Sequence, residues 1–248
     1  MKKLTVVFAA AACLAISSLG FAQSSGNFSY GTSPQNETGC ELQTNGSITG
    51  GEQCQMNCTV DLLGNSTCTA ASGTCLGNAV AGIKTSSGAG NVFVVRPSAV
   101  IGLLTDVTVS SKQVTTTGTT SSSSLAGVNV RVTVTPQSGQ AAPTVIPNFP
   151  ITYDARYVQI STNLFQALAT QCLAIDGGCF ITFNQSTVSA HSFDWIVSGL
   201  SSGNYGVTVN WSSTLAGSGI SESLTCVGPL NLTVQQNKVF SFNRINSL

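Results

Sequence analysis

The chain has 248 residues, of which 9 are basic and 9 acidic, and only 7% carry charge. Lys2 and Lys3 precede an apolar run from Leu4 to about Leu19 and the small-residue end Gly20-Phe21-Ala22, the pattern of a secretory signal peptide over residues 1–22. Removing those 22 residues from 248 leaves 226, with seven basic residues against nine acidic and a net charge of −2, which excludes the basic footprint of a nucleic-acid or anionic-membrane binder.

Export sets the expected compartment, secreted, periplasmic or attached to the cell surface. Cys13 offers a second reading, a lipoprotein cut just before that cysteine, but Ala10-Ala11-Ala12 lacks the leucine usual there. No later apolar run approaches the roughly 20 residues that cross a bilayer, so no membrane span is expected after signal removal. Eight cysteines follow the signal, at Cys40, Cys54, Cys58, Cys68, Cys75, Cys172, Cys179 and Cys226. An even number in an exported chain reads as disulfides. Zinc would need Cys-x-x-Cys pairs or clustered histidines; neither is present, and His191 is the sole histidine. No metal or cofactor is expected.

In chain order, residues 23–39 are polar, with little to bury, and read as a disordered arm. Residues 40–90 hold five cysteines among few aliphatics and read as a small disulfide-stapled module, with a soft boundary at 84–91. From 91 to 248 the period changes to strand-like alternation. Val128, Val130, Val132 and Val134 share one face, and Val107 with Val109, Ile181 with Phe183, Phe193-Trp195-Val197 and Leu230-Leu232-Val234 repeat the pattern. Between them, residues 115–124 are Ser/Thr-rich and read as a mobile loop. Pro143, Pro147 and Pro150 mark an irregular crossing. Leu164, Leu168 and Cys172 at four-residue steps predict a short inserted helix over 163–174, stopped by Asp176-Gly177-Gly178.

A corner follows. Leu200-Ser-Ser-Gly203-Asn-Tyr205 introduces a strand in which Tyr205, Val207, Val209 and Trp211 alternate with polar residues. This spacing resembles the tyrosine corner of immunoglobulin-like and fibronectin type III-like sandwiches. The resemblance covers about a dozen residues. It implies an all-β, Ig-like antiparallel sandwich in which Leu200 closes one strand, Gly203 permits the turn, and the Tyr205 hydroxyl bonds back to the corner. Val207 stands where antibody domains place a cysteine, so their inter-sheet disulfide is not implied.

The cysteines constrain their own pairing. Cys172 and Cys179 form the local pair; the remaining five N-terminal cysteines are an odd set, so one of them must reach Cys226.

Residues able to carry chemistry are few. His191 and Asp194 lie three apart in a strand-like stretch, which sets them on opposite faces, and no Gly-x-Ser-x-Gly elbow or Asp-Thr/Ser-Gly signature occurs. Asp176-Gly177-Gly178 lacks the alternate ligands of a calcium loop. Tyr30, Tyr153, Tyr157, Trp195 and Trp211 are the rings available for sugar stacking, although both tryptophans fall in phase with core positions. Eight Asn-x-Ser/Thr sites, at Asn27, Asn36, Asn45, Asn57, Asn65, Asn184, Asn210 and Asn231, would accept glycans in a host that glycosylates. The expected function is a secreted, non-enzymatic surface or matrix protein mediating adhesion or assembly. Its expected partners are other surface or matrix proteins, itself, or a neutral polysaccharide. The alternatives are a carbohydrate-binding module of a polysaccharide-degrading system, which predicts exposed rings, and a secreted hydrolase, which predicts converging carboxylates.

Overall fold

The alternation is realised as two β-sheets whose apolar faces meet. The computed structural model describes residues 27–32, 38–61, 65–85, 91–111, 121–161, 172 and 179–238. Among them are fifteen strands: β1 (Phe28–Thr32), β2 (Glu41–Leu42), β3 (Ile48–Thr49), β4 (Glu52–Val60), β5 (Ser66–Cys68), β6 (Ser72–Gly73), β7 (Leu76–Thr85), β8 (Asn91–Ser110), β9 (Ser121–Pro136), β10 (Thr144–Ile146), β11 (Ile151–Ser161), β12 (Phe180–Ser192), β13 (Trp195–Ser198), β14 (Gly203–Ser218) and β15 (Ile220–Lys238). The large sheet runs β10-β13-β8-β15-β4-β5, with β12 also on β8, β1 on β15 and β6 on β4. The facing sheet runs β11-β9-β14-β7, and every pairing is antiparallel.

One parity of β7, β8, β9, β13, β14 and β15 builds the core. Val128, Val130 and Val132 of β9 and Tyr205, Val207, Val209 and Trp211 of β14 meet Phe93, Val95, Ile101 and Leu103 of β8 and Leu232 and Val234 of β15. Each such side chain contributes about 1.5–3 kcal/mol by leaving water. Phe183 departs from the expected inward row: it is partly exposed, whereas Ile181 packs beside Val109.

Residues 28–32 depart from the expected disordered arm. They form β1, which pairs with β15 from Phe28 opposite Gln235 to Thr32 opposite Asn231. A register shift between Val227 and Leu230 makes this possible. Pro229 offers no N–H to a ladder, so β15 divides there, pairing with β4 before the shift and with β1 after it. Gly31 lets β1 lie against the facing sheet, since a Cβ there would sit 2.6 Å from the Val80 carbonyl oxygen of β7.

The cysteine-rich stretch likewise supplies strands to both sheets: β4 pairs with β15, and β7 with β14. Disulfides join Cys54 to Cys75, Cys58 to Cys68, Cys172 to Cys179 and Cys40 to Cys226. The last ties the β2–β3 hairpin over the outer face of the large sheet, where Cys40, Ile48, Leu104, Leu224 and Cys226 form a second small core.

Residues 121–124, read from sequence as loop, begin β9. Ser122 and Ser124 are buried, and carbonyls satisfy their hydroxyls: Ser122 Oγ donates to Thr108 O at 2.9 Å and Ser124 Oγ to Glu222 O at 2.7 Å. A buried hydroxyl so bonded avoids the desolvation cost that would otherwise exclude it from a core. Residues 1–22, 115–120 and the predicted helix 163–174, Cys172 excepted, lie outside the described residues.

Candidate functional site

The corner matches its expected geometry. Tyr205 is fully buried; its hydroxyl accepts from Ser201 N at 3.0 Å and lies 3.1 Å from Ser201 O, to which it donates. Gly203 has φ +147°, a backbone conformation that side-chain-bearing residues rarely adopt, and a Cβ there would also displace the end of the Gln140 side chain. Thr85 Oγ1 locks the turn, accepting from Gly203 N at 2.8 Å and donating to Ser201 O at 2.7 Å. Leu200 packs at the margin of the core. This set is structural and leaves no reactive group exposed.

Polar side chains gather instead where the edge strands β11 and β12 of the two sheets approach each other. A register shift between Thr152 and Asp154 re-aims β11. Tyr153 turns inward, with its hydroxyl donating to Pro97 O at 2.8 Å, and burial pushes its phenol pKa up. Beyond the shift, Asp154 Oδ2 lies 3.6 Å from His191 Nε2, and Arg156 Nη2 donates to Thr187 Oγ1 at 2.9 Å. An open groove of about 460 Å³ follows β12 here, lined by Gly46, Arg156, Asn184, Gln185, Ser186 and Thr187. Its wall offers amides, hydroxyls and one guanidinium. That chemistry suits hydrogen bonding to a backbone or to hydroxyl groups.

Ser189, His191 and Asp154 have the residue types of a nucleophile relay but not its geometry. Ser189 Oγ lies 2.6 Å from His191 Nε2, the same nitrogen that Asp154 approaches. A relay requires the carboxylate on one ring nitrogen and the nucleophile on the other. Here both compete for one.

Among the described residues, the other carboxylates are dispersed. Asp194 takes two bonds from Arg96, from Nε at 2.6 Å and Nη2 at 2.7 Å. The hydrogen bond and charge of Arg96 hold the Asp194 carboxyl below its usual range, and the carboxylate raises the guanidinium in turn. Asp194 therefore belongs to Arg96 and His191 to Asp154. Asp106 accepts from Asn184 Nδ2 at 3.0 Å and Glu222 from Gln55 Nε2 at 2.8 Å. Among the described residues, no three His, Cys, Asp or Glu side chains converge as metal ligands.

The candidate sugar-stacking rings separate. Trp195 and Trp211 are buried in the main core, and Tyr153 packs against it. Tyr30 and Tyr157 are exposed, and so is Phe28, which the sequence reading passed over. Arg96, Arg156, Asp154 and Ser189 were equally unmarked, because their neighbours are brought together across strands and no local spacing signals them. No protein-family model matches this chain, and no curated protein matches it.

Proposed function

We propose that this is an exported, non-catalytic protein whose Ig-like sandwich, with a short helix inserted between β11 and β12, mediates adhesion or assembly outside the cell. The signal-like residues 1–22 and four disulfides support an oxidising destination. The tyrosine corner supports kinship with immunoglobulin-like sandwiches.

The observation that carries the reading is the edge of β12. Among the described residues this 13-residue strand pairs on one side alone, with β8. Sheet proteins usually guard such an edge with lysine, proline or brevity. The sheet's outermost strands β10, β5 and β6 are short, and Pro147 directly follows β10. β12 is long and carries no lysine, arginine, aspartate, glutamate or proline. Its unpaired backbone and polar groove suit the addition of an extended strand from a second copy or another surface protein.

Sedimentation of the purified chain against concentration, with binding to immobilised copies, tests this. The unaltered protein should associate, and Gln185→Lys with Thr187→Lys should weaken association about tenfold by placing charge on the edge. Turnover of a glycoside or ester, lost on replacing a single acidic residue, would overturn the reading.

A further inference from the structure

Among the described residues, the outer face of the large sheet is only half covered. The β2–β3 hairpin closes the half around Val100, Leu104 and Leu224. Cross-strand register identifies what the other half presents, because directly opposed residues project to the same side. Ile146 faces Ile196, which faces Val94; Val94 faces Gln235, which faces Phe28. That row crosses five strands. One step along, Tyr30 faces Thr233 and Thr233 faces Arg96, the partner of Asp194. The alternate residues Phe93, Val95, Trp195, Val197, Leu232 and Val234 fill the core, so these rows point away from it. Phe28 is 61% exposed, Tyr30 71%, Ile146 55% and Ile196 38%.

Charge and area select the occupant. The charges on these rows, Arg96 and Asp194, satisfy each other through two short bonds, which leaves a neutral surface of rings, aliphatics, amides and hydroxyls. Four strand spacings give a width of about 19 Å, and Phe28 to Thr32 a length of about 13 Å, or roughly 250 Å². A stable protein partner buries about 800 Å² on each side. The patch is too small for a stable dimer but spans several units of a linear chain. Pyranose rings present apolar C–H faces that stack on aromatic rings, and their hydroxyls bond to amides and alcohols.

We infer that this exposed half-face binds a neutral polysaccharide chain, with Phe28 and Tyr30 stacking on its sugar rings and Asn231, Thr233 and Gln235 bonding its hydroxyls. The site lies on a different surface from the β12 edge and goes beyond the assembly reading.

Retention of the oxidised chain on microcrystalline cellulose, an insoluble β-1,3-glucan and chitin tests it, with soluble hyaluronate as an anionic control. At least one neutral polymer should retain the protein, with little change up to high salt. Phe28→Ala and Tyr30→Ala should each lower affinity about three- to tenfold, the loss of one stacked ring, and the double variant should lose binding. Both rings are exposed, so unchanged circular dichroism and melting will show that the variants fold. Tyr157→Ala, at another exposed ring, and Gln185→Lys, on the β12 edge, should leave retention unchanged. Retention on none of the three polymers overturns the inference, as does retention indifferent to the double variant. Preference for hyaluronate that fades with salt, or self-association lost in the double variant, also overturns it.

Discussion

Tyr205 shows what one side chain can secure. Its ring fills the core edge-on to Phe93, with centroids 5.7 Å apart, while its hydroxyl serves both polar groups of the Ser201 backbone. Tyr205→Phe keeps the ring but takes the acceptor from Ser201 N, while Ser201 O keeps its bond from Thr85 Oγ1, so unfolding in urea should show a loss of about 1–2 kcal/mol. Asp194 gives a pH-dependent counterpart. Its folded pKa is depressed below the ordinary 3.8, so its stabilisation is present above the unfolded value and is lost as pH falls through the folded one. The stability difference between the protein and Asp194→Asn should therefore be greatest near neutrality and vanish in acid below pH 3.8. Added salt should shrink it, because both partners are exposed; denaturation midpoints across pH and ionic strength measure this. Tyr205 was legible in the sequence because its partners lie four residues away. The Arg96–Asp194 pair was not, because 98 positions separate its members.

At the scale of elements, alternation identified the strands carrying Val107 and Val109, Val128 to Val134, Tyr205 to Trp211 and Leu230 to Val234, but not β7 or the part of β8 before Val107, whose Ile83, Val95 and Leu103 also face the core. It failed at β1 and at the start of β9. β1 is short and exposed on one side, and glycine serves its inner face, so apolar periodicity had nothing to register. Ser122 and Ser124 are buried by bonding to carbonyls of β8 and β15, a partnership that serine composition does not reveal. The β2–β3 hairpin is equally cryptic, with two residues in each strand. Ile48 anchors it beneath Cys40 and Cys226. Ile48→Ala should cost about 2–3 kcal/mol and speed amide exchange at Ile48 and Thr49 before it affects β14.

For the whole molecule, the decisive covalent link is Cys40–Cys226, which spans 186 positions. In the chain-entropy model a closure of this length contributes about 5 kcal/mol. Replacing both cysteines by alanine should lower the urea midpoint accordingly, and peptide mapping without reduction should return four disulfides from the unaltered chain. Counting alone required that one cysteine of the N-terminal five reach Cys226 if Cys172 bonded Cys179. Which one reaches it depends on β15, whose ladder with β4 sets Cys226 opposite Gln53 rather than opposite Cys54 or Cys58.

Local physics made the all-β class, the corner and the cysteine parity readable from one chain, since period-two burial, a four-residue hydrogen bond and even pairing are properties of short segments or simple counts. The tertiary structure alone decided which residues meet: β1 beside β15, Arg156 against Thr187, Asp154 rather than Asp194 near His191, and the neutral row from Phe28 to Ile146. Each is a product of strand order and register. Those are set by how two sheets close over a shared core and by where Pro229 interrupts a ladder, and no local pattern records the partner strand.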